Sequence, residues 1–209
     1  MIDKETRSLW SNLLGKAMQG PLKGRTLEAI PSTMTDWATW VSRHPDTTVA
    51  VLDRTSNEFR RNIHREADLL VIGLASEDHS RAWPFVYLRK HTPVNDAFES
   101  RPVLVCYDDR GGTAVIFDRT VDGKAFTFDN QNGQLTDRET GTHWDRVSGK
   151  GLTGPLASRS LRLLPGVVSL HNAWATFHGK STYWLPPEHT DSSYRWQTGP
   201  SVTEQRTGR

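Results

Sequence analysis

The middle of the chain, from residue 68 to residue 136, alternates short apolar runs with turn residues. The apolar runs at 69–74, 102–107 and 113–119 have the length and residue types of buried strands. Asp122-Gly123 and Asn132-Gly133 each separate short apolar segments, and such dipeptides are strong signals for two-residue hairpins. The pattern predicts an antiparallel β meander.

Outside this stretch the apolar pattern is weaker and predicts short elements. Residues 3–31 contain several glycines and no helical period, which favours short strands joined by turns. Helices are expected from Thr35-Asp36 to His44, over 85–90 after Pro84, and at about 170–178. Residues 48–52 are expected to form a further strand.

One module occurs twice in the chain, at residues 3–47 and again at residues 137–181. The two copies align without a gap, and 14 of the 45 aligned positions are identical. Both contain Asp-x-Glu-Thr followed by Trp, then Gly-Lys, Gly-Pro-Leu and a Trp-x-x-x-His segment. A duplication of this length indicates two structurally related halves. The predicted fold is α+β, mainly an antiparallel β meander with short helices.

The repeat also divides the chain. We expect a first repeat module at 1–52, a polar connection at 53–67, a second unit at 68–185 and a disordered tail at 186–209. The second module follows a strand-rich stretch, whereas the first has none before it. We therefore expect the first half to be incomplete, the chain to be the C-terminal part of a longer two-unit protein, and self-association through the incomplete unit.

Composition excludes several classes of function. The 209 residues carry a formal net charge of +2 and no run of basic residues, which argues against a nucleic-acid partner. No apolar run approaches the roughly 20 residues of a membrane-spanning helix. No signal pattern opens the chain, but because its start is expected to be internal, the compartment stays unknown. The single cysteine, Cys106, excludes an internal disulfide and a cysteine-rich zinc site.

The repeated motifs resemble the bacterial and archaeal family called domain of unknown function 3179. The matching segments in the module are Asp3–Trp10, the glycine-rich stretch 15–27, the Trp37 to Trp40 helix and His44-Pro45. The segments that match upstream of the second module are Val71-Ile72-Gly73, Trp83-Pro84, His91, Val94-Asn95-Asp96, the strand 102–105 and residues 112–119. The resemblance covers about residues 1–184, and the family name implies no activity.

The chain departs from the family pattern at one place. Many relatives carry Cys-Pro-Leu-Cys where this chain has Asp108-Asp109-Arg110-Gly111. Cys106 lies two residues before the position of the first expected cysteine and does not replace the pair. Any thiol redox or thiolate-metal chemistry that the resemblance implies is therefore in doubt for this chain.

The best candidate site of the sequence is a set of polar residues around this departure: His91, Asn95, Asp96, Cys106, Asp108 and Asp109. If the helix that ends at His91 packs beside the strand that ends near residue 108, then His91, Asp108 and Asp109 are candidate ligands for a divalent metal such as Mg²⁺, Ca²⁺ or Mn²⁺. The competing interpretation is structural, because Asn-Asp is common in turns, Asp108–Gly112 is typical of a solvated loop, and a cysteine inside an apolar strand is usually buried and inert.

Other groups have similar pairs of interpretations. His44 and His178 are either a pair across the two halves or the ends of their own helices. Asp3 and Asp137, each with a glutamate two residues on, are either acid–base groups or a repeated hydrogen-bonding brace. The eight tryptophans are either a binding platform or core residues.

Two hypotheses for function remain. The first is a non-enzymatic binding or structural module. The second is a metal-dependent or redox-linked enzyme with a degenerate site at the position of the family's Cys-Pro-Leu-Cys. The sequence identifies neither a ligand nor a cofactor.

Overall fold

The computed structural model describes residues 1–50 and 68–189. The predicted polar connection at 53–67, most of the predicted tail and the last two residues of the expected strand at 48–52 lie outside these ranges. The described chain is rich in antiparallel β-sheet and has three short helices, so the α+β prediction is confirmed. None of its described helices is long and apolar enough to cross a membrane.

The first module contains few regular elements: β1 (Leu9–Ser11), β2 (Lys16–Gln19) and α1 (Trp37–Arg43). Strands β1 and β2 form an antiparallel hairpin. Helix α1 begins where the sequence predicts it, since Asp36 is the N-cap and its Oδ1 accepts a hydrogen bond from the Thr39 amide at 2.7 Å. Residues 48–50 form no strand, contrary to the prediction.

The strand-rich stretch forms the centre of the molecule. Its elements are β3 (Leu70–Ala75), β4 (Ser80–Pro84), α2 (Phe85–His91), β5 (Val94–Phe98), β6 (Arg101–Asp108), β7 (Thr113–Asp118), β8 (Thr120–Val121), β9 (Lys124–Ala125), β10 (Phe128–Gln131) and β11 (Gln134–Asp137). Each predicted apolar run is a strand, and both predicted hairpin turns join paired strands. We call residues 68–136 the β core.

The second module adds strands to this β core. Its elements are β12 (His143–Trp144), β13 (Gly151–Thr153), β14 (Arg162–Leu163), β15 (Val167–Leu170), α3 (His171–Phe177) and β16 (Thr182–Tyr183). A short 3-10 helix, Pro187–His189, follows, so the start of the predicted disordered tail is ordered.

Three four-stranded sheets result, with the strand orders β15-β3-β4-β16, β14-β7-β6-β5 and β10-β11-β12-β13. All pairs in them are antiparallel except β16 with β4, which are parallel. The sheets stack in this order because alternate residues of β6 and β7 point to opposite sides. Val105 and Ile116 contact the first sheet, whereas Cys106 and Phe117 contact the third.

The first module packs on the outside of this stack. Leu13 contacts the small cluster of Val71, Ala82 and Trp174 on the outer face of the first sheet. Met34 packs against the cluster between the first and second sheets. The β core therefore carries both modules, one as part of its sheets and one against its surface.

Candidate ligand-binding cleft

The same hydrogen bonds hold both modules together. The Trp10 indole N–H donates to Asp3 Oδ2 at 3.0 Å, and the Trp144 indole donates to Asp137 Oδ2 at 2.8 Å. The Thr6 amide N–H and the indole hold the pKa of Asp3 at about 2, below its ordinary value of 3.8. The two aspartates occupy equivalent positions and brace their modules, as the structural interpretation predicts.

The two histidines at the helix ends also repeat one arrangement. His44 stacks on Trp40 with ring centroids 4.1 Å apart, and His178 stacks on Trp174 at 4.2 Å. Each is the C-cap of its own helix, and its amide donates to the carbonyl oxygen of the tryptophan. Burial holds the pKa of His178 below its ordinary value. The histidines line two different surface depressions, so the structure does not bring them together.

The sequence-predicted site residues lie in several separate places. Asp96 Oδ2 accepts hydrogen bonds from Arg81 Nε at 2.8 Å and from the Trp83 indole at 2.9 Å. Asn95 lies on the opposite face of the same strand, and its side chain bonds the amide and carbonyl of Phe128. Both residues join neighbouring elements of the core.

His91 lies at the end of α2, in contact with the segment that follows β16. Its Nε2 is 3.1 Å from Glu188 Oε1, and its ring is 6.0 Å from the ring of Trp184. Together with Asn95 and Trp184 it lines an open depression of about 530 Å³. No sequence signal pointed to Glu188, because it falls in the predicted tail.

Cys106 is buried between the second and third sheets. Burial raises the pKa of its thiol from 9.0 to about 12, so the sulfur is protonated at neutral pH. This agrees with the interpretation of Cys106 as an inert core residue.

Asp108 and Asp109 point to different surroundings at the end of β6. Asp108 lies opposite Thr113 in the β6–β7 ladder, and its Oδ2 is buried and has no hydrogen-bond partner among residues 1–50 and 68–189. Asp109 is exposed, with Oδ1 4.0 Å from Arg89 Nε. Within residues 1–50 and 68–189, no three His, Cys, Asp or Glu side chains lie close enough to hold a metal ion together. The assignment of His91, Asp108 and Asp109 as metal ligands thus gains no support from these distances and remains a prediction.

The β6–β7 turn is a further place where the first module contacts the β core. A Cβ atom on Gly111 would lie 2.5 Å from Thr35 Oγ1 and 2.7 Å from Thr113 Oγ1. Only glycine fits there without displacing these neighbours. The absence of a side chain allows the start of α1 to pack directly on the β6–β7 turn.

Beside this contact, a cleft of about 700 Å³ separates the two modules. One wall is α1 with the segment before it, and the other is the β12–β13 loop of the second module with Leu163. We call it the inter-module cleft, and its lining residues are Pro31, Ser32, Thr33, Thr35, Thr39, Trp40, Arg43, His44, Asp145, Val147, Ser148, Lys150, Leu152 and Leu163.

An ion pair bridges the two walls. Arg43 Nη1 donates to Asp145 Oδ1 at 2.7 Å. Burial alone raises the pKa of Asp145, but hydrogen bonds from Ser148 and the charge and hydrogen bond of Arg43 outweigh it and hold the pKa below 3.8. Asp145 is therefore ionised at neutral pH, and the pair fixes the separation of the walls.

At the β6–β7 turn, several buried oxygen atoms have no hydrogen-bond partner among the described residues. They include the hydroxyls of Thr35 and Thr113 and the carboxylate oxygen Oδ2 of Asp108. Thr35 is also a lining residue of the inter-module cleft, whereas Thr113 and Asp108 are not. Buried polar atoms in native structures usually have a hydrogen-bond partner, so each of these oxygen atoms calls for one.

The geometry thus defines a protein of two related modules around one β core, with a cleft between the modules. The sequence profile of the family described as "Protein of unknown function (DUF3179)" matches residues 1–67 and again residues 58–200. The chain belongs to this family, as its motifs indicated. No curated protein and no solved structure matches the chain.

Proposed function

We propose that this chain is a non-enzymatic binding module that takes up a small molecule in the inter-module cleft. The observation that carries the proposal is the cleft itself. Its volume of about 700 Å³ lies in the range of roughly 300–1,000 Å³ of small-molecule sites, and its lining combines five apolar residues with nine polar or charged ones.

The lining indicates the chemistry of the ligand. Trp40, Leu152 and Leu163 offer apolar contact, whereas Thr39 and Ser148 offer hydroxyl groups. The lining hydroxyls of Thr39 and Ser148 have oxygen lone pairs that accept hydrogen bonds, which favours a ligand that donates them at one end. We infer a compact molecule with an apolar body and an N–H or O–H donor.

Several groups that would carry catalysis have structural roles instead. The carboxylates of Asp3, Asp137 and Asp96 accept indole N–H groups, and the thiol of Cys106 is buried and protonated. This supports a binding module over an enzyme.

One observation favours the alternative, a metal-dependent enzyme with a degenerate site. Asp108 Oδ2 and Thr113 Oγ1 are buried oxygen atoms on neighbouring strands, and oxygen atoms are the ligands that Mg²⁺ and Mn²⁺ prefer. Titration with Mn²⁺ would broaden the amide NMR signals of these two residues selectively if such a site exists. Loss of the broadening in Asp108→Asn, together with its retention in His91→Ala, whose side chain contacts Glu188 instead, would then assign the site to the end of β6.

The binding proposal is tested by mapping a library of small amphipathic fragments onto the amide NMR spectrum. We expect shift changes to concentrate at Thr39, Trp40, Ser148 and Leu152. A cleft-filling variant, Ser148→Trp, should abolish them, whereas Lys23→Trp, on the exposed surface outside the cleft, should not. Fragments that shift only residues outside the cleft, or that bind Ser148→Trp equally well, would contradict the proposal.

A further inference from the structure

The duplication supplies an internal comparison for the residues that line the inter-module cleft. Every lining residue lies in one of the two copies, and because the copies align without a gap, each has one counterpart in the other copy. A residue that both copies share serves the structure of the module itself. A residue that differs between them is not required by the fold of the module and can serve the cleft.

The aromatic lining residues belong to the first group. Trp40 and His44 recur as Trp174 and His178, and the two rings stack in both copies, with centroids 4.1 and 4.2 Å apart. This pair therefore ends a helix in each module, whether or not a cleft lies beside it.

Several polar lining residues belong to the second group. Among them are Thr39, Arg43, Asp145 and Ser148, whose counterparts are Ala173, Phe177, Ser11 and Leu14. The other copy of the module thus folds without a charge at the positions of Arg43 and Asp145. The charged groups of the cleft are a property of the cleft rather than of the repeated module.

The charges that line the cleft do not balance. Arg43 and Lys150 are cationic, and Asp145 is the one carboxylate among the lining residues that the structure describes. Arg43 Nη1 donates to Asp145 Oδ1 at 2.7 Å, and the guanidinium makes no other hydrogen bond with residues 1–50 and 68–189. Within the same ranges, the ammonium group of Lys150 forms no ion pair. The cleft therefore has a surplus of positive charge and unused charged donors.

We propose that the ligand of the inter-module cleft carries a carboxylate, which binds to Arg43 and Lys150. This inference rests on the proposed function and specifies the class of its ligand. A guanidinium presents parallel N–H groups that match the two oxygen atoms of a carboxylate, and a lysine adds a compact positive charge. A cationic ligand would instead meet the surplus charge of the same sign, which disfavours it.

The remaining lining residues fit the rest of such a ligand. Trp40 and Leu152 offer apolar contact to its body. The Thr39 hydroxyl donates to Asp36 Oδ2 at 3.0 Å, so its oxygen is left to accept a hydrogen bond from the ligand. The class of ligand is therefore a small carboxylic acid with an apolar body and an O–H or N–H donor.

Three probes of similar shape and different charge test the proposal: 4-hydroxyphenylacetate, its neutral amide, and the cationic amine tyramine. NMR titration of the full chain gives the dissociation constant of each probe from the shifts of the Thr39 and Ser148 amides. We expect the acid to bind about tenfold more tightly than the amide, because hydrogen bonds between charged groups are the stronger ones. The amine should bind most weakly.

Substitutions then assign the charges. Lys150→Met should lower the preference for the acid by about threefold, the effect of an exposed ion pair. Lys16→Met is the matched control, because Lys16 is the repeat-equivalent lysine, is exposed and lies outside the cleft, so the preference should not change. Asp145→Asn removes the carboxylate that competes for Arg43 and should tighten binding of the acid by about threefold, but not binding of the amide. A gain of affinity of this kind cannot arise from a loss of folding.

The possible outcomes separate this inference from the proposed function. An acid and an amide that bind the cleft equally well, or a preference that Lys150→Met leaves unchanged, would overturn the inference and leave the proposed function in place. Probes that shift no cleft amide while uncharged fragments do would overturn it as well. If neither probes nor fragments shift the cleft amides, the proposed function and this inference are both wrong.

Discussion

At the scale of single residues, the structure repeats several contacts at positions where the repeat keeps the same residues. The Trp10 and Trp144 indoles donate to Asp3 and Asp137, and the carbonyls of both helix tryptophans accept from the histidine four residues later. Such a brace fixes the direction of a large side chain and satisfies the indole N–H at the same time. The sequence offered these roles as one of two interpretations, because the identical positions recur as a set.

The first prediction concerns the two equivalent tryptophans. Trp144→Ala should lower the free energy of unfolding by about 3–5 kcal/mol, because its ring is buried in a core cluster and contacts Phe128 edge-on. Trp10→Ala should cost less, because Trp10 belongs to none of the three core clusters of the described residues. Urea unfolding of the two variants measures both values. An unchanged midpoint for Trp144→Ala would contradict the structure at this residue.

At the scale of elements, the sequence predicted the local structure and not the partners across the chain. The strands between residues 69 and 119 and both hairpin turns were predictable because each is encoded by neighbouring residues. Three features depend on residues far apart in sequence. They are the pairing of β14 with β7, the parallel pairing of β16 with β4 and the formation of the 3-10 helix at 187–189. No local pattern encodes those contacts.

The candidate site shows the same division. The sequence pointed to the segment 106–111, where Gly111 and Asp108 do lie beside the contact with the first module. It did not predict the cleft, because its walls come from α1 and the β12–β13 loop, about 100 residues apart, and their lining threonines and serines are ordinary turn and cap residues. Sequence proximity alone places His91 and Asp96 in one candidate site with residues 106–111, and in the structure their side chains lie in other parts of the fold.

The second prediction concerns the contact between α1 and the β12–β13 loop. The pKa of Asp145 is lower in the folded protein than its ordinary value of 3.8, so its stabilising effect is complete above that value and is lost as the pH falls through the lower, folded-state pKa. Asp145→Asn should therefore reduce stability at neutral pH by about 0.2–1 kcal/mol, as for other partly exposed ion pairs.

Unfolding measured as a function of pH checks this. The difference between Asp145→Asn and the unchanged protein should begin to shrink as the pH falls below 3.8 and should vanish below the folded-state pKa of Asp145. Asp78→Asn, at an exposed position outside the contact, serves as the control and should have little effect at any pH. A difference that persists in strong acid would show that Asp145 acts through packing rather than charge.

At the scale of the whole molecule, two nearly equivalent modules share one β core unequally. The second module contributes strands to all three four-stranded sheets and buries Leu161, Leu164 and Trp174. The first contributes none to them and rests against the surface through Leu13, Met34 and the Arg43–Asp145 pair. Equal local structure therefore does not imply equal stability, since most of the stabilisation of such short elements comes from burial against the core.

The last prediction follows from this inequality: amides of the first module should exchange with solvent faster than their equivalents in the second. The comparison is direct, because the same hydrogen bonds occur in both. The Leu27 amide donates to the carbonyl of Gly15 and the Leu161 amide to that of Gly149, each at 2.8 Å. The Ala17 and Gly151 amides donate to the carbonyls of Arg25 and Arg159 at 2.9 Å.

Because the bonds match, the ratio of exchange rates within each pair reports the free energy of opening each module rather than local geometry. Burial of one large side chain stabilises by about 1.5–3 kcal/mol, so a difference of at least tenfold in rate is expected between Leu27 and Leu161. Equal protection in the two modules would show that the contacts of the first module with the β core stabilise it as well as sheet pairing stabilises the second.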